Sequence, residues 1–150
     1  MTDLLTPERI KIPLRARSKD ELLRELVEVI TSQDRVDDPE DVLRAVRERE
    51  AVLSTGIGHG VAVPHGKSSA VPDLRMAVGL AAEPIDFDAL DGQPVRLVFM
   101  LVGPESAAGA HIKALSRISR LVRSDAVRER LTSARNADEF YQALREAETQ

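Results

Sequence analysis

The stretch "VRLVFMLVG", residues 95–103, is apolar at every position from Leu97 to Val102. A strand with one wet face alternates apolar and polar residues, so an uninterrupted run of this length asks for cover on both faces. "RMAVGLAAE", residues 75–83, reads as a second strand of this kind, joined to the first by the turn-rich "PIDFDALDGQP". Moving outward, "VAV" at 61–63 is a short apolar run inside a glycine-rich loop, and Ile10 to Leu14 reads as a first strand. Helical periodicity surrounds these runs. "SKDELLRELVEVITS" is amphipathic, with Ser18 as cap, Glu21 completing a capping box, and Leu22, Leu23, Leu26, Val29 and Ile30 as the buried stripe. "DPEDVLRAVREREAVLS" follows, with Asp38 as N-cap, Pro39 at the first helical position, inward Val42, Leu43 and Val46, and an end close to Arg49 and Glu50. "AHIKALSRISRLVRS", "DAVRERLTSA" and "NADEFYQALREAE" give three more helices, the last with an Asn136/Glu139 capping box. Helices around a central run of strands make this an α/β chain, expected to form one domain over residues 1–150 with no repeat or linker.

Composition narrows the function. The 150 residues include no cysteine, which removes disulfides, thiolate metal sites and a cysteine nucleophile. The net charge is −4, and Phe87, Phe99, Phe140 and Tyr141 are the only aromatics, a poor basis for binding nucleic acid. No apolar run reaches the ~20 residues of a membrane helix, and "MTDLLTPE" lacks a basic signal-peptide start, so a cytoplasmic protein without membrane insertion is expected.

The loop "STGIGHGVAVPHGKSS", residues 54–69, holds two of the three histidines, His59 and His65, among glycines at 56, 58, 60 and 66. Gly66-Lys67-Ser68 imitates the tail of a P-loop, but the leading glycine would fall at Val61, and the dinucleotide fingerprint fails at the same residue. A zinc hydrolase with His59, His65 and His111 as ligands is a minor alternative, since three imidazoles and a water suffice for catalytic zinc. His65 itself follows "AVP": Pro64 fixes its own φ and drives Val63 towards extended backbone, which delivers His65 from a strand end in a stiff geometry with Gly66 leaving room beside it. His111 falls on one stripe with Leu115, Ile118 and Val122, in the first turn of its helix. There it is either a satisfied core histidine or part of an anion site at a helix N-terminus.

Taken together, "REREAVLSTGIGHGVAVPHGKSS" and "AHIKALSRISRLV" resemble the fructose/mannitol-type IIA proteins of the bacterial phosphoenolpyruvate-dependent phosphotransferase system, whose standalone members include the nitrogen-regulatory IIA proteins. The resemblance rests on Arg49, Glu50, Thr55, Gly58, Gly60, Ala62, Pro64, His65 and His111. It implies a mixed β-sheet covered by helices, and His65 as phosphoryl acceptor. The donor is then a small histidine phosphocarrier protein, and the acceptor a IIB component or, in the regulatory relatives, a target protein. Arg49 and His111 become catalytic and phosphate-binding neighbours, Thr55 and Gly58 further phosphate contacts, and His59 a rim residue. No cofactor is implied. The chemistry suits the residues: neutral imidazole is available as a nucleophile near pH 7, a guanidinium offers paired donors, and no acidic residue occurs from Ser54 to Lys67.

Overall fold

The computed structural model describes residues 3–33, 36 and 38–149. Six strands form one mixed sheet: β1 (Ile10–Leu14), β2 (Gly56–Gly58), β3 (Val61–Ala62), β4 (His65–Lys67), β5 (Arg75–Ile85) and β6 (Val95–Gly103). The order is β1-β5-β6-β3-β2, with β4 also paired to β6. β1 runs parallel to β5, β5 antiparallel to β6, and β3 and β4 both parallel to β6. The apolar run of β6 is central, as its lack of alternation requires. Leu97, Phe99 and Leu101 enter one core with α3 (Ala108–Val122), α4 (Asp125–Thr132) and α5 (Ala137–Glu148). Val98, Met100 and Val102 enter a second core with α1 (Lys19–Gln33) and α2 (Pro39–Val52).

Local chemistry sets the helix starts. The Ser18 hydroxyl accepts from the Glu21 amide at 3.2 Å, while the Glu21 carboxylate reaches back to the Arg17 amide at 2.8 Å, one residue earlier than a simple box would have it. Asp38 caps α2 through the Asp41 amide, Ser124 caps α4 and Asn136 caps α5. Two expectations shift. On α1 the buried stripe also takes in Val27, and Val29 is only partly covered, because α1 packs on both β5 and α2. Helix α2 also runs to Val52, past Arg49 and Glu50, and Glu50 turns inward on the stripe of Val42, Leu43 and Val46.

Three short strands make up the glycine-rich loop. β2 and β3 form a hairpin whose two loop residues, His59 and Gly60, both have positive φ (57° and 76°), the pattern of the tight turn that matches the twist of paired strands. β4 then pairs with β6 through His65↔Leu101 and Gly66↔Val102. His65 therefore opens a strand instead of closing one, and Pro64 sits at the break between β3 and β4.

Candidate functional site

His65 lies at the edge of the sheet. Because side chains alternate along a strand, it shares the face of its partner Leu101, the α3 side, while Gly66 shares the face of Val102, the α2 side. The space beside Gly66 is not free: a Cβ there would stand 2.9 Å from the Val46 amide nitrogen and 3.0 Å from the Ala45 carbonyl carbon. The glycine lets the backbone of α2 approach the strand; it does not leave the open room beside His65 that the sequence suggests.

The half-buried His65 ring has its Nδ1 2.9 Å from the Val63 carbonyl oxygen. A carbonyl only accepts, so Nδ1 carries the proton and donates, and the Nε2 lone pair is left as the nucleophilic position. The His111 ring stands edge-to-face against it, with centroids 5.1 Å apart and planes at 68°. His111 is 6% exposed, and its Nε2 is buried without a hydrogen-bond partner. Burial first, then the positive ends of His65 and Lys67, lower its pKa to about 4. His111 is thus a neutral imidazole at pH 7 with one ring nitrogen unused.

Arg49 reaches the site from the other face. α2 runs antiparallel to residues 65–68: the Ser68 hydroxyl donates to Asp41 at 2.6 Å, and Val46 packs on Gly66. One helical turn beyond Val46, Arg49 stands at the level of His65. Its guanidinium donates to the Leu53 carbonyl at 3.0 Å. The Gly56↔Ala62 pairing and the Val63 amide bond to the Thr55 carbonyl hold the segment after Leu53 against the strand that leads into His65. Arg49 and His65 share no hydrogen bond among the described residues.

Other expected members are placed elsewhere. Thr55 is buried, and both its amide (3.0 Å) and its hydroxyl (2.7 Å) donate to Glu50. Its donors are committed to holding α2 against the loop and do not face a phosphate. Gly58 pairs with Val61, at the hairpin. Four extended residues, roughly 13 Å, separate that level of the strand from His65. Gly58 and the exposed His59 thus fall outside the site, near the Asp91 carboxylate. His59 answers a backbone requirement, being one of the few residue types other than glycine that tolerate a left-handed conformation. With His59 at the hairpin tip, the three histidines do not converge, and no group of three or more metal-ligating side chains comes together among the described residues. The zinc reading loses its ligand set.

The sequence reading omits an ion pair behind the site. Glu50, 7% exposed, accepts from Thr55 and from Lys19 Nζ at 2.8 Å, and that ammonium lies 4.6 Å from the centre of the Phe87 ring. The signal was present: Glu50 follows Val46 by four residues on an otherwise apolar stripe, where an acid demands a partner. What the elements assemble is a small anion-receptive corner. It offers one nucleophilic imidazole nitrogen, one neutral buried imidazole and one guanidinium, with no carboxylate donated to it by the loop.

Residues 3–147 match the family described as "Phosphoenolpyruvate-dependent sugar phosphotransferase system, EIIA 2". A nitrogen regulatory protein of Bradyrhizobium diazoefficiens is 40% identical over 96% of this chain and 94% of its own length. The fructose-specific EIIABC component of Bacillus subtilis is 36% identical over 92% of this chain, which spans only 22% of that protein. Among solved structures, the nitrogen regulatory protein IIA-Ntr of Neisseria meningitidis superposes with a TM-score of 0.87 at 33% identity, covering 95% of this chain and 97% of that one.

Proposed function

From the premise that this chain belongs to the EIIA type 2 family of the phosphoenolpyruvate-dependent sugar phosphotransferase system, we propose that it is a phosphocarrier with His65 as the covalent relay. The observation that carries the assignment is the tautomer. The Val63 carbonyl holds the Nδ1 proton and leaves the Nε2 lone pair to attack phosphorus. In the first step the N–P bond of a phosphohistidine on the donor breaks as a new N–P bond forms at His65 Nε2. The donor imidazole leaves with its electron pair, and the charge developing on the His65 ring is stabilised through Nδ1–H and the Val63 carbonyl. His111 supplies a donor to a phosphoryl oxygen, which satisfies the nitrogen buried without a partner. Arg49 exchanges the Leu53 carbonyl for the more strongly bound phosphoryl anion. Thr55 and Glu50 act as positioning residues. The donor is a histidine phosphocarrier protein, and the onward step goes to a IIB component.

The test is incubation with phosphoenolpyruvate, the general phosphotransferase enzyme and the histidine phosphocarrier. One acid-labile, alkali-stable phosphoryl group per chain is expected, and none on His65→Ala. A normally labelled His65→Ala variant overturns the assignment. The 40%-identical nitrogen regulatory relative supports a second use of the same chemistry, in which the phosphorylation state selects a target protein. Discharge of the label by a IIB component favours transport, whereas a stable label with phosphorylation-dependent binding of a target favours regulation.

A further inference from the structure

Lysine is an unfavourable first residue for a helix, because the free amides of the first turn already carry positive charge. Lys19 nevertheless opens α1. Its side chain turns inward to Glu50, passing over the ring of Phe87, and is only 21% exposed. Glu50 and Thr55 are in turn two of the few buried polar side chains among the described residues. Lys19, Glu50 and Thr55 belong to one hydrogen-bonded series, and that series ends on the ring of His65.

Lys19 Nζ donates to Glu50 at 2.8 Å. The Glu50 carboxylate, which only accepts, takes the Thr55 amide on one oxygen at 3.0 Å and the Thr55 hydroxyl on the other at 2.7 Å. The Thr55 carbonyl accepts from the Val63 amide at 3.0 Å, and the Val63 carbonyl accepts from His65 Nδ1 at 2.9 Å. Every polar group of Thr55 is therefore committed, and Lys19 is the cation that compensates the buried acid holding it. The last link depends on the links before it. The Val63–Pro64 peptide has no N–H, so it cannot donate a hydrogen bond that would steady its own plane. Its flanking anchors are the Val63 amide bond to Thr55 and the Leu101 amide bond to the Pro64 carbonyl at 3.1 Å. A shift of Thr55 thus swings the Val63 carbonyl away from the imidazole.

We propose that Lys19 and Glu50 are positioning residues that fix the tautomer of His65, acting through Thr55 and the Val63 carbonyl. The kinetic consequence rests on the phosphocarrier reading, whereas the tautomer does not. With the carbonyl in place, Nδ1 keeps the proton and Nε2 keeps the lone pair. Once the carbonyl moves, the proton is shared between the two nitrogens, and each molecule protonated at Nε2 has no lone pair at the attacking position. Lys19 and Glu50 do not touch the reacting atoms. Their loss therefore lowers the rate of the chemical step and leaves affinity for the donor protein unchanged.

The decisive experiment compares wild type, Lys19→Met and Lys19→Arg, each as the full chain with 15N-labelled histidines. Imidazole nitrogen shifts at about pH 8, where free imidazole is neutral, read the tautomer of His65 directly. Transfer from the phosphorylated histidine phosphocarrier, measured over a range of donor concentrations, separates kcat from KM. Expected are an Nδ1–H ring in wild type and a mixture with Nε2–H in Lys19→Met. The methionine variant should lose about tenfold in kcat with KM unchanged to within about twofold, and Lys19→Arg should restore both tautomer and rate. Lys19→Gln, which keeps a polar end, gives the same comparison should the methionine variant fail to fold. A variant without the cation that keeps the wild-type tautomer, or the wild-type kcat, overturns the inference whatever stability it has lost, and leaves the phosphocarrier reading standing. A wild type that takes no label at His65 overturns the phosphocarrier reading instead, and the nitrogen shifts still decide whether Lys19 sets the tautomer.

Discussion

Two imidazoles in contact behave differently because their surroundings differ. His65 is half-buried at a strand edge with its Nδ1 proton held by a backbone carbonyl, whereas His111 is sealed in the first turn of α3. The depressed pKa of His111, about 4, links stability to pH. Between the ordinary imidazole value near ~6.5 and that lowered value, the unfolded chain binds a proton that the folded chain refuses. Stability therefore falls as pH drops through this window, by on the order of 3 kcal/mol in all. Urea unfolding at pH 7 and pH 4 checks this: wild type should lose that amount beyond what His111→Gln loses, and parallel losses in the two proteins count against it. The sequence brought His65 into view through Pro64 and placed His111 on a core-facing stripe, but it left His59 as a rim residue or a zinc ligand of the minor alternative. A count of histidines in a loop carries no information about which one sits at φ 57° on a hairpin tip.

Among the elements, the contact of α2 with β4 fixes the site more than any side chain in it. Gly66 permits backbone to lie against backbone, so Gly66→Ala forces α2 outward and takes Arg49 with it. We expect a loss of roughly 1–3 kcal/mol in urea unfolding together with slower transfer to His65. A variant with unchanged stability and rate removes the packing argument. The helices were legible in the sequence because caps and 3.6-residue stripes are local signals: Asp38, Ser18 and Asn136 each stand where a cap was read. The strands β2, β3 and β4 have three, two and three residues, too few for alternation to register, and the pairing of β3 and β4 with β6 depends on residues more than thirty positions away. That Glu50 needs a partner is readable from its stripe, but not that Lys19 supplies it, since the two come from different helices.

At the scale of the whole molecule, strand 95–103 announced cover on both faces, and the sheet has it in two separate cores. The mixed strand directions were not in the periodicity of the chain; they came from the family resemblance. Nor could spacing reveal that the candidate site draws on both layers, with Arg49 from the α2 side and His111 from the α3 side. Seen mechanically, a phosphoryl group gripped by both residues is a tether across the edge of the sheet. Loading His65 should therefore stiffen the joint between the two helical layers at this edge. Hydrogen–deuterium exchange would register this as slowed amide exchange in the last turn of α2 and the first turn of α3, while α4 and α5 stay unchanged. Exchange unaltered at both helix ends would mean that the charge arrives without the tether. If the joint does stiffen, a partner could sense the phosphorylation state from the rigidity of this edge as well as from its charge.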